Sequence, residues 1–240
     1  MNAEATKPYG AALLAYYKGD FDAELIIRRE DGFESSLPVK HFFRAESEFS
    51  TIELTAMEQC RGHVLDVGSG IGLHSIELES RGLDVMAIDI CSEAVDIMHH
   101  RGVHNGQQAD VFEYQGGPFD TLFIMGHGIG IVEDLVGLQR FLEHAKSLVK
   151  PDGQLFLDSL DVGRSKEPAD LAYHATNRKA GRYIGEIAMQ FEFKGSRGPY
   201  CRWLHIDRGT LEDYAREAGW NCETILENEN GEYLARLQKM

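Results

Sequence analysis

Val64-Leu65-Asp66-Val67-Gly68-Ser69-Gly70-Ile71-Gly72 decides how this chain is read. An apolar run of strand length enters three glycines at alternate positions, and a helical pattern, Leu73 to Arg81, follows at once. Backbone without Cβ atoms can approach a ligand closely, and the first turn of the next helix offers free N–H groups and a positive dipole end. Strand, glycine turn and helix make a nucleotide-type binding unit at the C-terminal edge of a parallel sheet. The dinucleotide fingerprint is G-x-G-x-x-G, whereas here the glycines run G-x-G-x-G and Leu73 takes the place of the last dinucleotide glycine. Asp66, inside the strand end, would repel a pyrophosphate but not a ligand carrying a positive charge and an adenosine.

Outward from this string, strands alternate with helices. Strand 63–67 leads to helix 72–81, strand 84–89 to helix 92–101, a weak strand 107–111 follows, and strand 119–125 leads to helix 131–149. In helix 131–149, Ile131, Leu135, Leu138, Leu142, Ala145 and Val149 step by four and three along one apolar stripe. Pro151-Asp152-Gly153 reads as its stop and as the turn into strand 154–160, the fifth of the alternation. Residues 161–180 read as polar loop around Pro168, and 182–194 and 200–207 as inserted strands after strand five. Helix 209–218, capped by Thr210, precedes a hairpin of strands 221–227 and 232–238. The expectation is an α/β, doubly wound, mostly parallel seven-stranded sheet with an antiparallel terminal hairpin. Residues 1–60 are expected to form a short N-terminal helical cap, and 1–240 a single domain.

The glycine string resembles motif I of the class I (Rossmann-like) S-adenosylmethionine (SAM)-dependent methyltransferases, and motif order over about residues 60–160 extends the resemblance. The chain is also similar to bacterial small-molecule methyltransferases, in which a short cap precedes the fold and extra strands follow strand five. The resemblance implies SAM as cofactor, S-adenosyl-L-homocysteine (SAH) as product, and a donor site at Asp66, Gly68, Ser69, Gly70 and Gly72. Asp89, with Ile90 beside it, ends strand 84–89, where a carboxylate can accept both ribose hydroxyl protons; the competing reading is a cap for the helix from Ser92. Asp110 and Val111 inherit the adenine contacts by resemblance. Met125 and Gly126, in Met125-Gly126-His127-Gly128, fall where the family backbone faces the methionine end of SAM and the methyl acceptor. Arg44 can meet the methionine carboxylate, against the alternative of a solvated Arg packing on Phe43.

Methyl transfer needs little acid–base machinery, because alignment and desolvation supply much of the rate. A base matters when the nucleophile is a weakly acidic hydroxyl, and His127 is the catalytic candidate, with His205 a weaker second. His74, in the first turn after the glycines, reads as a packing or ligand contact. Tyr16 and Tyr17 can close the pocket or serve as core. In the insertion 162–207, Tyr183, Phe191, Phe193, Tyr200 and Trp203 are expected to wall the acceptor site or to form the surface of a homodimer.

A formal charge of −15 argues against nucleic acid as partner, and the DNA-methyltransferase element (Asp/Asn/Ser)-Pro-Pro-(Tyr/Phe) is absent after strand 119–125. Cys60, Cys91, Cys201 and Cys222 are far apart and read as reduced thiols. No metal site, membrane span or signal-peptide core is read, which predicts a cytoplasmic protein. The expected function is transfer of a methyl group to an O or N atom of a small molecule or peptide-like metabolite. The rivals are an aminopropyltransferase-like enzyme on the same fold, an NAD-binding oxidoreductase, and a non-catalytic SAM-binding or interaction module.

Overall fold

The computed structural model describes residues 2–240. The chain opens with α1 (Lys7–Tyr17), the strands β1 (Glu24–Arg29) and β2 (Glu34–Pro38), and α2 (Thr51–Gln59). The alternating unit follows as β3 (His63–Val67), α3 (Leu73–Ser80), β4 (Asp84–Asp89), α4 (Ser92–His100) and β5 (Gly106–Gln108), then β6 (Phe119–Ile124), α5 (Leu135–Leu148) and β7 (Val149–Leu160). The last third comprises α6 (Pro168–Lys179), β8 (Glu186–Phe193), β9 (Ser196–Arg197), β10 (Cys201–Leu204) and α7 (Arg208–Glu217), with β11 (Trp220–Glu227) and β12 (Glu232–Lys239) closing the chain.

Seven strands form the main sheet in the order β11-β12-β7-β6-β3-β4-β5. β3 pairs in parallel with both β4 and β6, so the winding reverses at β3. A crevice opens outside the carboxyl ends of the strands at such a reversal, and the glycine string leaves β3 there. β12 lies antiparallel between β7 and β11, the expected terminal hairpin. Val64, Leu65 and Val67 are almost wholly buried, as a strand covered on both faces requires. On α5, Leu138, Phe141, Leu142, Ala145 and Leu148 are buried against the sheet.

The N-terminal region departs from the helical cap expected of it. Leu25-Ile26-Ile27 is strand, and β1 and β2 join β8 and β10 in a second sheet of order β10-β8-β1-β2, with β9 on β8. β-branched residues fit a pleated surface, and Gly32, with φ of 90°, turns the chain between the two strands. The partner strand β8 lies over 150 residues downstream, so no local pattern announces the pairing.

Residues 161–180 contain α6 where a loop was expected. Pro168 starts this helix rather than breaking a segment, and only Tyr173, His174 and Asn177 are buried on it, too few for a visible stripe. α5 begins at Leu135 and not at 131, because Asp134 caps it by accepting from the Gly137 amide at 2.8 Å. α7 is capped by Asp207 rather than Thr210; its carboxylate accepts from the Thr210 amide at 3.0 Å. β7 runs straight through Pro151-Asp152-Gly153, with a register shift against β6 between Phe119 and Thr121. No helix among the described residues is long and apolar enough to cross a membrane.

Leu25 joins the two parts of this architecture, 1% exposed in the apolar cluster that α1 shares with the second sheet. Leu25→Ala is expected to cost about 3 kcal/mol of unfolding free energy in a urea titration. A loss below about 1 kcal/mol would mean that the second sheet is not packed into the cooperative unit.

Candidate functional site

Gly68, Gly70 and Gly72 all adopt left-handed backbone, with φ of 68°, 56° and 75°. This folds the chain back on the end of β4: the Gly68 and Ser69 amides donate to the Ile88 carbonyl at 2.9 and 3.1 Å. The Gly70 amide donates to Asp89 Oδ2 and the Cys91 amide to Asp89 Oδ1, both at 2.8 Å. The N-cap of α4 is Cys91, so the carboxylate that the cap reading would have spent on the helix braces the glycine turn. Burial pushes the Asp89 carboxyl up, and the two amides oppose that shift.

The turn forms part of the wall of a cavity of about 560 Å³, a size typical of small-molecule sites. Gly68, Ser69, Gly70, Asp89, Ile90, Asp110, Val111, Met125, Gly126, His127 and Arg44 all line it. Two sequence candidates do not. Asp66 is buried beneath the turn and accepts from the Ser75 hydroxyl at 2.6 Å. Gly72 packs against Val103 and Met98, where any Cβ would collide. Both shape the turn from behind. At Gly68 and Gly126, by contrast, an added Cβ would meet no atom within 4 Å. Asp110 accepts from the Phe112 amide at 2.9 Å, which orders the loop after β5.

Arg44 and His74 reach the cavity as a pair. Glu53, on α2 and 5% exposed, accepts from His74 Nε2 at 2.6 Å and from the Arg44 guanidinium through the same Oε1. Its Oε2 accepts from the Ser50 amide at 2.8 Å, closing a capping box. Burial alone would raise this carboxyl, but the His74 bond and charge, the Ser50 amide and Arg44 together hold it at about 2. Sequence reasoning missed Glu53. Its one local signal, Ser50-x-x-Glu53, marks a helix start and says nothing of a site.

His127 follows β6 with φ of 58°, a left-handed conformation that costs a non-glycine residue on the order of 1 kcal/mol. Asp158 on β7 holds it there by accepting the His127 amide at 2.9 Å on Oδ1. Burial pushes the Asp158 carboxyl up to about 6, against the pull of His127. His127 Nε2 lies 3.9 Å from Asp158 Oδ2 and 3.7 Å from Glu232 Oε1. The His205 ring, carried in just after β10, meets it edge to face at 5.5 Å. Neither carboxylate was legible beforehand, because both sit on strands read only for their apolar faces. Among the described residues no group of three or more His, Cys, Asp and Glu side chains could hold a metal ion.

The remaining wall comes from α1, the segment after β2, and the second sheet. Tyr9 lines the cavity; Tyr16 stacks on Phe43 at 4.5 Å and Tyr17 is largely exposed, so neither closes it. From the insertion, Phe191 and Trp203 reach the cavity. Tyr183 instead donates to Asp207 at 2.5 Å, Phe193 is core, and Tyr200 is exposed.

A family model described as a methyltransferase domain matches residues 43–225. A SAM-dependent methyltransferase from Bacteroides fragilis, solved in complex with S-adenosyl-L-homocysteine, superposes with a TM-score of 0.86 at 32% identity, covering 100% of this chain and 97% of that one. The DhpI–SAH complex shares the fold, with a TM-score of 0.62 and 19% identity over 99% of this chain and 96% of that one. Among curated proteins, the ubiquinone biosynthesis O-methyltransferase of Xanthomonas euvesicatoria pv. vesicatoria (strain 85-10) is 32% identical over 115 residues, 45% of this chain and 46% of that protein. The match thus spans about half the length of that curated relative. With a family model over most of its length and a full-length structural relative sharing its fold, the chain belongs to the methyltransferase-domain family of SAM-dependent enzymes on the class I fold.

Proposed function

We propose that this chain catalyses SAM-dependent O-methylation of a small molecule. The observation that carries the reading is one cavity that joins the glycine turn and Asp89 to a carboxylate-backed histidine, His127. The residues present fit the donor. The space in front of Gly68 and Gly126, free of any atom a Cβ would meet, is what a ligand lying on the backbone needs. Asp89, with both oxygens already oriented by amides, keeps lone pairs to accept ribose hydroxyls. Asp110 and Val111 would hold the adenine, Met125 and Gly126 the methionine chain, and Arg44 with His74 its carboxylate. Bound there, SAM supplies a methyl group made electrophilic by its sulfonium.

The protein's part is to bind, to exclude water and to move one proton. His127 Nε2 takes the hydroxyl proton of the acceptor, and Asp158 and Glu232 stabilise the imidazolium that results. Such an arrangement serves an oxygen nucleophile, which needs deprotonation more than an amine does. It agrees with the O-methyltransferase activity named for the curated relatives. Asp66 and Gly72 support the turn without touching either ligand.

Asp89→Ala is expected to weaken SAM binding at least tenfold by calorimetry while the thermal transition stays cooperative. Unchanged affinity would remove Asp89 from the donor site. For His127→Asn, methyl transfer from labelled SAM into a metabolite extract, followed by mass spectrometry, should fall by about 10²- to 10⁴-fold with SAM affinity retained. Full turnover in that variant would end its role as base.

Glu53→Gln removes the anion that holds Arg44 and His74. Because the Glu53 carboxyl lies at about 2 in the fold against an ordinary 4.5, its stabilising contribution is complete above pH 4.5 and is lost as pH falls toward 2. The variant is expected to show a shallower loss of stability across that acid range and a weaker SAM affinity at neutral pH. Identical acid limbs in the two proteins would show that the cluster is not formed.

A further inference from the structure

Side chains alternate across a strand, and one face of the second sheet turns toward the cavity. Leu25 lies opposite Leu37, Ile27 opposite Phe191, and Ile187 opposite Trp203, and all six line it. Tyr9 and Phe42 add two rings, packed edge to face at 5.2 Å. The Trp203 indole lies so close on the Gly130 backbone that it leaves no room for a Cβ there, which makes a flat wall. Exposed Phe33 and Ser35, at the β2 end of this face, place the mouth at the sheet edge.

Four carboxylate or guanidinium side chains line the cavity, and three of them, Arg44, Asp89 and Asp110, are those assigned above to the donor. Arg29, the one on the second sheet, donates to Asp31 at 2.9 Å and to Asp170 at 2.7 Å, and lies over the rings of Phe33 and Tyr173. Arg44 is held by Glu53, Asp89 by two amides, and Asp110 by the Phe112 amide. An ammonium or carboxylate acceptor against this sheet would shed its hydration with no counter-charge to replace it.

One polar group on this side lacks its partner. The His205 ring lines the cavity, and its Nδ1 is sealed from solvent without a hydrogen-bond partner among the described residues. A sealed N–H is rarer and costlier than a sealed lone pair, which puts the proton on Nε2 and makes the ring a donor. Burial, and then the charge of His127, push His205 down to about 3, so it stays neutral and does not compete as base. The two rings divide the work: His127 from the main sheet takes a proton, and His205 from the second sheet gives a hydrogen bond.

We propose that the methyl acceptor is a neutral hydroxyarene lying against the inner face of the second sheet, with an oxygen hydrogen-bonded by the His205 ring. This rests on the methyltransferase reading above. The flat aromatic and aliphatic wall selects the ring, the absence of unpaired charge on that face selects neutrality, and the two histidines select the hydroxyl.

The test is calorimetry on the intact protein, first with SAH alone and then, SAH-loaded, with 2-naphthol, naphthalene, 2-naphthoate and 2-naphthylmethylammonium. The naphthol is expected to bind at least tenfold more tightly than either charged analogue. His205→Leu is expected to weaken naphthol about tenfold and naphthalene less than twofold, with SAH affinity unchanged. Leu37→Trp, on the edge strand, fills the chamber from its rim and should abolish naphthol binding while SAH still binds; it carries the test if the His205 variant does not fold. Naphthol that does not bind, a charged analogue that binds as tightly, equal losses for naphthol and naphthalene in His205→Leu, or unchanged naphthol affinity in Leu37→Trp would each overturn the proposal. Failure of SAH to bind in the first titration would instead overturn the methyltransferase reading beneath it.

Discussion

The hydrogen bond from the Gly70 amide to the Asp89 carboxylate is the contact on which the cavity depends. Three left-handed glycines at alternate positions have few conformational restraints of their own, and glycine loses more conformational freedom on folding than any other residue. Asp89 supplies the restraint from the neighbouring strand. Because β3 and β4 are in parallel register, the end of one lies beside the end of the other, and the carboxylate reaches the turn without distortion. The same carboxylate, so fixed, faces the cavity. A charge buried this deeply is costly unless it is hydrogen-bonded, and the two amides meet that requirement.

From that corner the site is assembled by two sheets with different duties. The parallel sheet brings the glycine turn, Asp89, the loop after β5 and His127 to its carboxyl edge at the winding reversal. The second sheet closes over them with an apolar face that its own strands could not bury. That face meets α1, the turn at residues 128–132, where Trp203 packs on Gly130, and the cavity. The His127 and His205 rings meet where the two sheets meet, so that corner of the cavity exists only when both are formed.

The polar side chains that position others are buried: Glu53 behind Arg44 and His74, Asp158 behind His127, Asp66 behind the turn. Glu53 accepts from three donors, Asp158 accepts the His127 amide, and Asp66 accepts the Ser75 hydroxyl, so each buried carboxylate is hydrogen-bonded. The strained backbone of His127 follows the same logic. The cost of its left-handed conformation is offset by the Asp158 carboxylate that accepts its amide.

The alternation from residue 63 to 160 and the terminal hairpin were legible because strand and helix periods are local, and β3 and β4 begin and end at the residues that their apolar runs predict. Glycine spacing and a strand-end Asp were legible for the same reason: each marks the local end of a strand, although the hydrogen bond that joins them spans 19 residues. α6 was hidden by a polar surface with three buried side chains, and β1 and β2 by a partner strand in the distant insertion. Arg44 was legible as a charged residue near the site, but its clamp by Glu53 was not. Local pattern thus fixed the parallel core, the glycine turn and the strand-end Asp that braces it. Long-range packing set which carboxylates turn inward to position others, and brought a second sheet over the cavity. Those outcomes depend on contacts between residues far apart in the chain, for which no local period exists.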